Sequence, residues 1–579
     1  MSAALASLVE FRHVAFAWPR RDVPGGARAP MAALTDISFS LPAGTLCAVA
    51  GRNGAGKSTL ALCVNGTIPH LVRGVFSGEV LVAGRPAGPP RDRAHEVGVV
   101  FQDFESHLVS SSGELEVAFP LEHAGLDPRA QRDRVAAALA LTGLTGFGDR
   151  VPAELSGGEK QRLAIAAAAA LEPPVMVLDE PLTDLDPEGK QRVLDVVTRL
   201  KRLGHTILLV EHDPAALLAA DLLLVLDGGR LAHLGPPGAV FADPARTAAL
   251  GLPEWAPARV AVALGVAVPY PGLEAVAASL RAAGFGPGTG QDGDAAHPGI
   301  HGEGTARPAP PFLEFDGVTS GYPGAPAVLF DVSLTVREGE CVALLGQNGS
   351  GKTALAKHAV GLIRPRQGTV RVAGRPAAAW GAAALSRLAG YVFQNPDHQI
   401  FAESVREEVA FGARNLGLAG AELGERVGAA LAAVGLAGRE EEDPFALTRG
   451  ERERLAVASL LAYRPRGIVF DEPTTGLDAA EARTMMDFIR GLNRDGMTVV
   501  LITHAMWAAA EYADRVAVVS RGRIVLDGPA SEVFARERDL AGLALAPPPA
   551  AMLANRLEVG ALFADELTGA LTRRRRTGA

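Results

Sequence analysis

Two octapeptides carry the residues whose types and spacing speak most directly of chemistry. They are Gly51-Arg52-Asn53-Gly54-Ala55-Gly56-Lys57-Ser58 and Gly346-Gln347-Asn348-Gly349-Ser350-Gly351-Lys352-Thr353. Both fit G-x-x-x-x-G-K-[S/T], the spacing of a loop that wraps phosphates. Its glycines let backbone N–H groups curl around β- and γ-phosphates, its lysine supplies charge, and its hydroxyl suits a magnesium ligand. The candidate ATP contacts are Asn53, Gly54, Gly56, Lys57, Ser58 and Thr59 in the first copy. In the second they are Asn348, Gly349, Gly351, Lys352 and Thr353. The pattern predicts two bound nucleotides per chain.

A single such match in a glycine-rich chain says little, but further residues recur behind each loop in the same order. Gln102 and Gln394, Glu180 and Glu472, and His212 and His504 are each displaced by 292 positions, against 295 for Lys57 and Lys352. A duplicated domain with one three-residue length difference explains the offsets. Phosphoryl chemistry assigns the roles: Asp179 and Asp471 to the magnesium shell, Glu180 and Glu472 to orienting or deprotonating the attacking water, His212 and His504 to the γ-phosphate. Gln102 and Gln394 are expected to touch magnesium or the water from a loop.

These residues need a scaffold that gathers them. Apolar runs precede each of them, 47-CAVA-50 and 341-CVALL-345 before the loops, 175-VMVLDE-180 and 468-IVFDE-472 into the acids, 206-TILLVEH-212 and 498-TVVLITH-504 into the histidines. Such runs read as buried parallel strands, whose ends converge on a ligand crevice. The fold class is therefore α/β, a duplicated phosphate-loop NTPase with a mostly helical insertion in each half. The expected domains are 1–245 and 311–540, with a linker at 246–310 and an extension at 541–579. The first part of the linker has helical patterning, whereas 285–310 is Gly/Pro-rich and reads as a flexible tether.

Composition narrows the classes. A formal net charge of -9 gives no global attraction to nucleic acid. Three cysteines, Cys47, Cys63 and Cys341, have neither metal-ligand nor disulfide spacing and suit buried thiols in a reducing compartment. No apolar run is long enough to cross a bilayer, so membrane association is expected through a partner. The run Arg573 to Arg576 reads as a solvated end that could touch anionic lipid headgroups.

Between each glutamine and acid pair lies a further segment, 155-LSGGEKQR-162 and 447-LTRGERER-454. With these the chain resembles the ATP-binding cassette ATPases, over roughly 1–240 and 312–540. The first segment matches the signature helix of that family fully; the second places Arg449 where the family has glycine. The resemblance implies head-to-tail pairing of the halves within one chain. Ser156, Gly157 and Gly158 would then cover the ATP on Lys352, and Thr448, Arg449 and Gly450 the ATP on Lys57. It also implies adenine stacking on Trp18 and Tyr322.

The segments 393-FQNPDHQIF-401 and 404-SVREEVAFG-412 are similar to those of energy-coupling factor transporter ATPases. That likeness implies a peripheral ATPase on the cytoplasmic face of a membrane, hydrolysing ATP with Mg2+. Its implied partners are an integral membrane coupling protein and a small substrate-capturing membrane protein, for uptake of a vitamin or transition-metal ion. The alternative is a tandem cassette ATPase acting in translation or another non-transport process, for which a charged linker would be expected.

Overall fold

Runs of consecutive apolar residues become strands covered on both faces. The structure is a computed structural model that describes residues 7–19, 31–268, 272–285, 309–322 and 324–577. It divides into two units, Met1–Ala258 and Arg259–Ala579. In the first unit a six-stranded sheet runs Arg230–Gly235, Leu222–Asp227, Leu46–Gly51, Thr206–Val210, Val175–Asp179, Val97–Val100. All neighbours are parallel except the outermost pair formed by Arg230–Gly235. The second unit repeats the arrangement from its other edge: Ala389–Val392, Gly467–Asp471, Thr498–Ile502, Cys341–Leu345, Arg515–Ser520, Arg523–Pro529. Every residue of Val175–Asp179, Thr206–Val210, Gly467–Asp471 and Thr498–Ile502 is buried. Unbroken apolarity is what a parallel sheet between two layers demands.

Each unit adds a four-stranded antiparallel sheet near its start, ordered Met31–Pro42, Ser7–Trp18, Val75–Val82, Arg85–Pro86 in the first and Leu329–Arg337, Pro311–Ser320, Gln367–Val372, Arg375–Pro376 in the second. The predicted insertions are helical. Gly113–His123, Pro128–Leu141 and Gly157–Ala169 share the core of Val117, Leu121, Leu139 and Leu163. Val405–Asn415, Gly420–Ala433 and Arg449–Leu461 share that of Val405, Val409, Leu431 and Leu455. The expected α/β architecture with helical subdomains stands in both units. All three cysteines are buried, and burial pushes the Cys47 and Cys63 thiols up to about 12.

The boundary between the units falls at Ala258, inside the segment expected as linker. The helix Leu273–Ala282 buries Val276 and Leu280 and packs against the helix Pro549–Arg556 of the C-terminal extension. Arg556 Nε donates to Glu274 Oε1 at 2.9 Å, and Arg259 pairs with Asp565. The tether expected at 285–310 lies mostly outside the described residues, as do the side chains of Arg574 to Arg576.

Where the central strand meets the phosphate loop, Gly51 (φ 143°) and Gly346 (φ 146°) pass tightly under the neighbouring strand. A Cβ on Gly51 would lie 2.2 Å from the Leu226 carbonyl oxygen, and one on Gly346 2.1 Å from that of Val519. Backbone cannot give way as a flexible side chain can. Gly51→Ala and Gly346→Ala are each expected to cost at least ~2 kcal/mol, read as a lowered urea midpoint.

Candidate nucleotide sites at the strand ends

The phosphate loops open the helices Lys57–Val64 and Lys352–Ala359, capped by Gly56 (φ 99°) and Gly351 (φ 107°) in the left-handed region. Glycine alone adopts that conformation without strain. The Lys57 ammonium donates to the carbonyls of Gly51 and Arg52, both at 3.0 Å. Lys352 does the same to Gly346 at 2.7 Å and Gln347 at 2.9 Å. Both lysines are buried. The charge is thus held against the loop's own backbone carbonyls at the start of a helix, where an anion site is expected.

At the ends of the next strands the acids stand beside the loop hydroxyls. Ser58 hydrogen-bonds Asp179, and Thr353 Oγ1 donates to Asp471 Oδ2 at 3.2 Å. Burial, reinforced by the adjacent Glu180, pushes the Asp179 carboxyl up to about 6; burial also raises that of Asp471. Asp179 Oδ1 is buried with no hydrogen-bond partner. An anionic oxygen left in that state suits a cation.

Glu180 and Glu472 follow at φ 50° and φ 55°. Their own N–H groups are fixed by Val210 and Ile502 carbonyls of the neighbouring strands, both at 2.9 Å. A side chain held at positive φ stores strain that the surrounding ladder must offset. Each carboxylate faces its histidine: His212 Nε2 is 3.4 Å from Glu180 Oε1, and His504 Nε2 is 3.0 Å from Glu472 Oε1. Gln102 Nε2 donates to Glu180 Oε2 at 2.8 Å, while His504 also meets Asn348 Oδ1 at 2.8 Å. Although burial pushes the Glu180 carboxyl up, His212, Lys57 and Thr183 hold it below its ordinary value. Gln394 stands in an exposed loop three residues beyond the buried Tyr391.

The signature segments start helices in both units. Ser156 caps Gly157–Ala169, with its N–H and hydroxyl both donating to Glu159 Oε2, at 2.8 and 2.7 Å. Thr448 caps Arg449–Leu461, where the Thr448 N–H donates to Glu451 Oε2 at 2.8 Å and the Glu451 N–H to Thr448 Oγ1 at 3.3 Å. Gly450 sits in a tight spot, since a Cβ there would lie 3.1 Å from Glu481 Oε1; Gly158 is less crowded. Trp18 is half-buried, edge-on to Phe16 at 5.2 Å, whereas Tyr322 is 40 % exposed with the Lys357 ammonium 5.4 Å over its ring.

Residues 34–183 and 329–475 match the ABC transporter family. The chain belongs to that family. It is an ATP-binding ATPase with two cassettes. An ABC transporter ATP-binding protein of Caldanaerobacter subterraneus is 40 % identical over 548 residues, 93 % of this chain and 96 % of the relative. One from Methanosarcina acetivorans is 38 % identical over 543 residues, 90 % of this chain and 87 % of its own length. Among solved structures, cbiO1 from Clostridium perfringens, part of the ABC transporter complex cbiONQ, is 30 % identical over 42 % of this chain and 98 % of its own, with a TM-score of 0.38.

Three groups in the cassettes were not singled out from the sequence. Glu116 Oε2 accepts from the N–H groups of Val109 and Ser110, and Glu408 Oε2 from those of Phe401 and Ala402, all at 2.8 to 2.9 Å. These buried carboxylates pin the segment after the glutamine; their recurrence at the repeat offset was the available signal. Glu211, beside His212, accepts from the Leu182 N–H at 2.8 Å, and burial pushes its carboxyl up to about 8. Tyr391 donates its hydroxyl to Asp471 Oδ2 at 2.5 Å. The first cassette has Val99 there, so nothing in the repeat pattern marked it. Removing that donor leaves a buried carboxylate one bond poorer. Tyr391→Phe is expected to destabilise the second unit by about 1.5–3 kcal/mol in urea unfolding, an effect that Val99→Ala does not mirror through its Asp179.

Proposed function

We propose that this two-cassette ATPase is the energy-coupling subunit of an ECF-type uptake transporter for a vitamin or transition-metal ion. It would act at the cytoplasmic face of the membrane with an integral coupling protein and a small substrate-capturing protein. The observation that carries the reading is a pair of exposed apolar positions repeated in both cassettes. Phe401 is 59 % and Phe411 45 % exposed, with ring centroids 4.8 Å apart. Val109 and Phe119, at the same repeat offset, are 69 % and 47 % exposed. Each pair follows the loop of Gln394 or Gln102, and Glu408 or Glu116 holds that loop in place. Water is a poor neighbour for large apolar side chains, and a partner helix would cover them. Among the described residues no helix is long and apolar enough to cross a membrane, which leaves the span to such a partner.

Within each cassette, Lys57 or Lys352 would neutralise the β- and γ-phosphates, Glu180 or Glu472 would orient the water, and His212 or His504 would contact the γ-phosphate. Mg2+ would supply Lewis acidity at the phosphates, held by Ser58 and Asp179, or Thr353 and Asp471, with Gln102 or Gln394 at hand. The lone Asp179 Oδ1 fits this role, and among the described residues no cluster of acids, histidines or cysteines could hold the ion without nucleotide oxygens. Following the family resemblance, Ser156, Gly157 and Gly158 are assigned to the ATP on Lys352, and Thr448, Arg449 and Gly450 to that on Lys57. Trp18 and Tyr322 are assigned to the adenines.

An intact signature then favours the site of Lys352. Glu472→Gln is expected to lower steady-state phosphate release about tenfold or more, and Glu180→Gln by less; equal losses would remove the asymmetry. The transporter reading is checked in mild detergent. Tagged chain should bring down a polytopic membrane protein in stoichiometric amount, and Phe401→Asp with Phe411→Asp should release it. Recovery with ribosomes alone would refute the reading.

A further inference from the structure

The second signature departs from the first at positions that touch one another. Gly157, Gln161 and Asp184 of the first cassette correspond, at the repeat offset, to Arg449, Glu453 and Gly476 of the second. Arg449 Nε lies 3.7 Å from Glu453 Oε1, one helical turn further from the helix start. The Glu453 side chain is 7 % exposed, and neither carboxylate oxygen has a hydrogen-bond partner. A Cβ placed on Gly476 would fall 2.5 Å from Arg449 Cζ and 2.7 Å from its Nε. The guanidinium therefore fills the space that a side chain at 476 would take. In the first cassette a Cβ on Gly157 would meet nothing within 4 Å, and Gln161 is buried and neutral.

Each of the three changes makes sense only with the others. A buried carboxylate needs a cation, the cation needs room, and glycine at 476 leaves that room. Burial pushes the Glu453 carboxyl up and Arg449 pulls it back down, while Glu481, where the first cassette has Gly189, adds negative charge nearby. A guanidinium drawn along the helix toward Glu453 is drawn away from the N-terminal N–H groups.

We propose that Arg449 is a positioning residue, latched by Glu453 into the space left by Gly476, and that the latch keeps the helix N-terminus clear for a triphosphate. Arg449 then neither blocks the second signature nor grips the nucleotide. The inference rests on the reading that this signature serves bound ATP.

The test is a mutant cycle in the full chain, with Glu472→Gln present so that turnover reports the site of Lys57. Glu453→Gln keeps shape but frees the guanidinium, and is expected to lower turnover about fivefold. Arg449→Gly leaves Glu453 without its cation and should also lose activity. The pair together restores the Gly/Gln combination of the first cassette and should lose less than either single change, in turnover and in urea midpoint alike. Losses that multiply, or a gain from Arg449→Gly alone, would overturn the latch. Coupling in the urea midpoint with flat turnover would overturn its part in nucleotide contact, while the membrane-partner reading continues to stand or fall on copurification.

Discussion

The closing of each phosphate loop around its own lysine is the constraint on which the other parts depend, because an ammonium taken out of water must find oxygens at once. Lys57 and Lys352 find them in the carbonyls that end the central strand, and this draws the loop into a ring. The ring in turn demands glycine where the strand turns and where the helix starts. Once the central strand is placed, its parallel neighbours can end only at the same edge. Acids and histidine then arrive beside the lysine without any local signal steering them there.

That dependence explains what could be read in advance. The strands ending in Asp179, Asp471, His212 and His504 are apolar enough to be seen as runs, and the repeat offset ties both copies to one plan. The helical insertions were likewise visible as helix-rich stretches between glutamine and acids. Contacts that join distant segments through shape were not visible. Tyr391 reaches Asp471 across neighbouring strands, and as a lone aromatic in a strand it resembles any core residue. The direction taken by Arg449 depends on an absent side chain at Gly476, and no local pattern announces an absence. The helix Leu273–Ala282 was legible as a helix, but its attachment to the C-terminal extension was not.

The two cassettes use one backbone with different side-chain wiring. Glu180 meets both Gln102 and His212, and Glu472 meets His504, which also holds Asn348 of the phosphate loop. Asp471 has a phenol that Asp179 lacks. Interactions of buried charged groups are worth a few kcal/mol each and do not add simply, so such rewiring can separate the two sites in rate while leaving the fold common.

The Gly/Pro-rich stretch takes on another meaning once its two anchors are placed. Helix Leu273–Ala282 before it and strand Pro311–Ser320 after it both belong to the second unit. The change of unit falls instead inside the helix Ala256–Ala263, where an inserted residue would break a run of i to i−4 hydrogen bonds and so cost more than one added to a loop.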